Sequence, residues 1–139
     1  MTKIATYALM LAGLVLVSAG TSTAQTVGLR VNVPFEFNIA EKVLPAGQYL
    51  ILAPQGGMLK ISGPNGAAAI ATTNQVSGHR PDGPGQIAFN CYGQRCFLSQ
   101  FWTARTETGE QVIKGKLERD LDNSKEQFTT IALRGTPYR

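Results

Sequence analysis

The sequence predicts an all-β domain, a single small sandwich or barrel of about seven to eight antiparallel strands with at most one short helix near residues 117–126. Three observations carry this. The segment 29–39 alternates apolar and polar residues with a period of two, as a half-buried strand does. Turns rich in glycine and proline punctuate residues 44–85 at short intervals. The longest apolar run, residues 4–19, belongs to an expected export signal and not to the fold.

That signal spans residues 1–24. Lys3 supplies the amino-terminal charge, Ile4 to Ala19 the apolar stretch, and Ser22 and Ala24 the small residues that a signal peptidase admits. A membrane anchor needs about 20 apolar residues, and this run is shorter and ends in polar small residues. No cysteine stands at the expected cleavage point, which argues against a lipoprotein. The expected domain therefore begins at Gln25, ends at Arg139, and lies in the periplasm or outside the cell. It has the size of one domain. The chain carries 13 basic and 9 acidic residues, scattered, with no basic cluster interleaved with aromatics. Nucleic acid is not an expected partner, and no membrane span is expected once the signal is removed.

Leu29, Val31, Val33, Phe35, Phe37 and Ile39 form the apolar face of the first strand, and Pro34 marks an edge, bend or bulge within it. Leu44-Pro45-Ala46-Gly47 reads as a turn. Strands are expected at 48–53 and 58–62, with Pro54-Gln55-Gly56-Gly57 between them. Gly63-Pro64-Asn65-Gly66 holds an Asn-Gly hairpin signal, and 67–74 is the returning strand. Residues 75–85 read as a loop. Strands at 86–91 and 96–104 flank Tyr92-Gly93-Gln94-Arg95. Residues 106–109 form a turn, 110–117 a strand, 117–126 a short helix or exposed loop, 128–134 a last strand, and 135–139 a frayed tail.

Val33-Pro34-Phe35-Glu36-Phe37, followed by Leu44-Pro45-Ala46-Gly47-Gln48-Tyr49 and by an aromatic hairpin from Phe89 to Phe97-Leu98, resembles a family of uncharacterised exported proteins of Acidobacteria. The resemblance covers roughly residues 31 to 118. It implies export and a β architecture and names no chemistry. Read on their own, these residues shape the fold: Val33, Phe35 and Phe37 fill a core, and Leu44 and Tyr49 fold back over a tight turn.

Cys91 and Cys96 face each other if residues 92–95 form a four-residue loop, which also pairs Phe89 with Leu98 and Ile87 with Gln100. In an oxidising compartment this predicts a disulfide. A redox pair favours Cys-x-x-Cys, which is absent, and one histidine with two cysteines does not complete a zinc site. His79, beside Arg80 and Asp82 in the Gly/Pro loop, is a solvated residue or a general base. Glu118, Asp120, Asp122 and Glu126, interleaved with Arg119 and Lys125, read as a solvated face. The Asp120-Leu121-Asp122-Asn123 alternation lacks the glycine and glutamate of a calcium loop. Phe97 and Phe101 are expected on one strand face, Trp102 and Leu98 on the other. They either fill a core or contact a ligand or partner.

No catalytic residues, cofactor or metal are expected. The functional expectation is a non-enzymatic exported domain that binds a protein or cell-envelope partner through a β edge or its loops. The alternative is a small β-barrel that holds an apolar ligand. A hydrolase resting on His79 and Asp82 is the third reading.

Overall fold

The computed structural model describes Gly20 and residues 27–78, 84–104, 106–124 and 126–138. Apart from Gly20, the expected export signal lies outside these residues, as do His79, Arg80 and Asp82. The described chain is mostly strand, with one α-helix.

In chain order the strands are β1 (Val27–Val33), β2 (Phe37–Ile39), β3 (Lys42–Leu44), β4 (Gly47–Gln55), β5 (Met58–Ser62), β6 (Ala68–Ser77), β7 (Gln86–Tyr92), β8 (Arg95–Trp102), β9 (Thr108–Val112), β10 (Thr129–Arg134) and β11 (Thr136–Tyr138). Helix α1 (Lys116–Asn123) precedes β10. Eleven strands exceed the seven or eight expected, for two local reasons. Pro34 ends the run 29–39 as a ladder strand, and its second half turns back at Ala40-Glu41 as the hairpin β2–β3. The residues after Gly135 are also a strand instead of a frayed tail.

Strand order is β10-β7-β8-β9-β6-β5-β4-β1-β11, with β2 attached to β8 and β3 to β2. All pairings on this path are antiparallel, and among the described residues the one parallel contact is Asn38 beside Phe97. The path does not close on itself: β10 and β11 are its two ends. A single residue, Gly135, separates them along the chain. One bent strand thus borders β7 before Gly135 and β1 after it.

The core follows from the alternation. Leu29, Val31 and Val33 of β1, Ile51 of β4, Leu59 and Ile61 of β5, and Ile87 and Phe89 of β7 are all buried in one cluster. Phe37 meets Tyr49 and Phe89 edge-to-face, with centroids 5.0 and 5.3 Å apart. Tyr49 donates its hydroxyl to the Pro45 carbonyl, so it does fold back over the Leu44–Gly47 turn. The expected strand 110–117 is shorter. β9 ends at Val112, and α1 starts at Lys116.

Candidate interaction edge

The hairpin β7–β8 organises this side of the molecule. Its loop has two residues, Gly93 and Gln94, not four, because Tyr92 pairs with Arg95. Gly93 has φ 62°, which a glycine adopts without steric cost in the first loop position of a type II′ turn. Cys91 lies directly opposite Cys96 in either geometry. The two are joined by a disulfide with Cα atoms 4.0 Å apart. The closed loop is short, so the chain-entropy estimate of its contribution is about 2 kcal/mol. The Cys91→Ala/Cys96→Ala double variant is therefore expected to melt roughly 8 °C lower, as read by circular dichroism. An unchanged midpoint would show that the bond contributes nothing.

Phe89 pairs with Leu98 as the sequence suggests, but Ile87 pairs with Phe101 and Ala88 with Gln100. Ser99 is the extra residue of a β-bulge. It rotates the remainder of β8 by one position. Leu98 and Phe101 consequently share the core face, while Phe97 lies on the other face beside Tyr92 (centroids 5.9 Å). This corrects the expected grouping of Phe97 with Phe101 and of Trp102 with Leu98. All three aromatic candidates are buried. Trp102 packs on Gly78 and Gly109, where an added Cβ would approach its ring to 3.2 and 2.6 Å.

Helix α1 covers the outer face of the hairpin through Glu118. The acidic stretch is therefore not uniformly solvated: Asp120, Asp122 and Glu126 are exposed, but Glu118 is 4% exposed. The Asp120–Asn123 alternation lies within the helix, and among the described residues no three His, Cys, Asp or Glu side chains group as metal ligands. Asn90 and Tyr92 lie against Glu118, and Lys114, paired with Asp122 at 2.9 Å, stands nearby. Tyr92 Oη and Glu118 Oε1 complete no hydrogen bond of good geometry among the described residues. Burial pushes the Glu118 carboxyl above its ordinary pKa, against the pull of Lys114 and the Asn90 amide. The folded chain therefore binds this proton more tightly than the unfolded chain does. The resulting stability is complete below the unfolded pKa of about 4.3 and is lost as pH rises through the raised folded value, each tenfold in proton affinity being worth about 1.4 kcal/mol. Glu118→Gln is expected to abolish that decline in urea titrations run from acid to neutral pH.

On the other side of β7 lies β10. The ladder is regular over six residues, from Thr129 opposite Cys91 to Arg134 opposite Gln86. Because Tyr92 and Arg95 close the hairpin, alternation directs the backbone groups of Ala88, Asn90 and Tyr92 to β8. Those of Ile87, Phe89 and Cys91 then point to β10. Thr129, Ile131 and Leu133 answer them. Thr130, Ala132 and Arg134 turn their N–H and C=O groups to the far side, where no strand is paired among the described residues. Ile131 and Leu133 are half-buried against the core, as is Phe35, whose ring meets Phe89 at 5.1 Å. A groove of about 820 Å³ opens at the Arg134 end, with Arg30, Asn32, Gln48 and Arg134 in its wall. The Arg30 guanidinium also covers the Tyr138 ring at 5.4 Å.

The sequence points to a β edge or loops in general and to large side chains as contacts, but does not single out β10. Its functional groups are backbone amides, which no side-chain motif announces. The available signal was a Thr/Ile-rich strand with no proline and one charge. Compared with known protein families, curated proteins and solved structures, the chain matches none.

Proposed function

We propose that this chain is an exported, non-enzymatic interaction domain that takes up an extended segment of a partner polypeptide as an added strand on β10. The observation that carries the proposal is the contrast among the sheet's open edges. Natural edges are blunted by shortness, proline, charge or bulges. β11 has three residues with Pro137 in the middle, and β3 has three residues led by Lys42. β10 has six, no proline, no bulge, and its single charge at the end. An unguarded edge of this kind pairs readily with an extended backbone. Arg134 and Arg30 at one end favour an acidic residue in the bound strand. The Cys91–Cys96 disulfide supports an oxidising compartment. The aromatic strand 97–102 lends nothing to the apolar-ligand alternative, because its three large side chains are taken up in packing.

Proline substitutions separate binding from folding. Ala132→Pro removes an N–H that faces the open side and leaves the β7 ladder intact. Ile131→Pro removes a ladder bond to β7 and is expected to melt well below Ala132→Pro. Peptides selected from a random display library on the wild-type protein are expected to bind Ala132→Pro at least ~10-fold more weakly, a loss of about 1.4 kcal/mol, while its melting point stays within a few degrees of wild type. A folded Ala132→Pro variant that binds those peptides as wild type does would end the proposal.

A further inference from the structure

Four of the six large apolar side chains exposed among the described residues are Ile70 (67% exposed), Val43 (53%), Ile113 (45%) and Leu117 (38%). They come from three separate stretches of the sequence, yet these stretches are linked. The Lys42 ammonium donates to the Ala68 carbonyl, tying the β2–β3 hairpin to β6. The Ile113 N–H donates to the Thr72 carbonyl at 3.0 Å, two residues from Ile70. Gly115 lies so close to Ala40 that an added Cβ would sit 3.1 Å from its backbone. Lys60 is directly opposite Ile70 across β5 and β6. Between the hairpin and these strands runs an open apolar groove of about 640 Å³, lined by Ile39, Ala40, Ile61, Ala69 and Ile70, with Glu41, Lys42 and Lys60 beside them.

The charges on this face are one-sided. The segments 39–43, 58–62, 68–72 and 113–117 hold four lysines, Lys42, Lys60, Lys114 and Lys116, and one carboxylate, Glu41. The one described salt bridge on these lysines joins Lys114 to Asp122. Two kinds of partner accept exposed apolar groups. Protein interfaces gather them into a continuous centre from which lysine is depleted. Here the exposed aliphatic side chains stand among lysines. Aliphatic groups reach the acyl boundary of a bilayer while long ammonium stems meet phosphates, each basic residue near an anionic surface adding about 1 kcal/mol.

We infer that the face formed by the β2–β3 hairpin tip, the 68–72 stretch of β6 and residues 113–117 docks peripherally on an anionic phospholipid bilayer. Ile70 and Ile113 enter the interface, and Lys42, Lys60 and Lys116 contact lipid phosphates. This inference is independent of strand addition at β10.

Flotation of the purified protein with vesicles tests it. The protein is expected to rise with vesicles of phosphatidylglycerol and phosphatidylcholine in equal parts, and at least ~10-fold less with phosphatidylcholine alone. Raising salt from about 0.1 to about 0.5 M is expected to release it. Ile70→Ser is expected to lower the partition about tenfold, and Lys60→Glu about fivefold or more. Both positions are exposed, so unchanged thermal melts confirm that the variants fold. Ala132→Pro is expected to float as wild type does, which keeps the two sites distinguishable. Failure to float, equal flotation with neutral vesicles, or wild-type flotation of both Ile70→Ser and Lys60→Glu overturns the inference. The first of these results would leave the face to a protein partner.

Discussion

Phe89→Ala is expected to cost about 4 kcal/mol, a fall in melting temperature of roughly 16 °C. The side chain is fully buried and holds several segments at once. Its ring meets Phe35 and Phe37 edge-on at 5.1 and 5.3 Å. Across its two ladders it lies opposite Leu98 of β8 and Ile131 of β10. Removing it empties the place where the 35–37 segment, the disulfide hairpin and the open edge converge, and surrounding strands cannot collapse into the space without breaking register. Urea unfolding measures the loss directly. A loss below about 1 kcal/mol would mean that the packing around this ring is far looser than its burial indicates.

The second large effect lies at Gly135. An added Cβ would stand 2.6 Å from the Arg30 carbonyl oxygen, from Leu29 Cγ and from Val31 Cγ2. Two of these neighbours are buried core side chains and the third is backbone, so none is a flexible group that can swing aside. The Gly135 N–H also donates to the Gly85 carbonyl at 2.8 Å, which fixes where the chain passes. Gly135→Ala is expected to cost about 3 kcal/mol by overpacking, and Gly135→Val more. The damage should be local: β11 loses its pairing with Gly28 to Arg30 before the rest of the sheet melts. Fast amide exchange at Tyr138 in the alanine variant, with the β4–β5–β6 amides still protected, is the expected signature. Uniform protection would show that the strand passes β1 with room to spare.

Much of the fold was legible because local chemistry and tertiary structure agree there. The alternation at 29–33, the break at Pro34, the Pro45–Gly47 turn and the facing cysteines each follow from one residue's geometry. The misreadings have physical causes of the opposite kind. Ala40 adopts φ 52° at the β2–β3 turn, a conformation alanine disfavours, so nothing in its identity announces a turn. The Ser99 bulge is set by pairing with β7 and moves Phe101 and Trp102 to faces that strict alternation assigns the other way. Residues 136–138 look like a polar tail until β1 supplies a partner. Glu118 looks solvated because its neighbours Arg119 and Asp120 are, and only the landing of α1 on Asn90 and Tyr92 buries it. The candidate edge was the least visible, since an unpaired strand edge is a property of the finished sheet.

Strand addition at β10 is tested most directly by amide hydrogen exchange at single-residue resolution, with and without a library-selected peptide. In the free protein, Thr130, Ala132 and Arg134 should exchange fast and Thr129, Ile131 and Leu133 slowly, because the first three face the open side and the second three face β7. Bound peptide should slow the first set alone. Peptide binding that leaves Thr130, Ala132 and Arg134 exchanging as before would contradict the account.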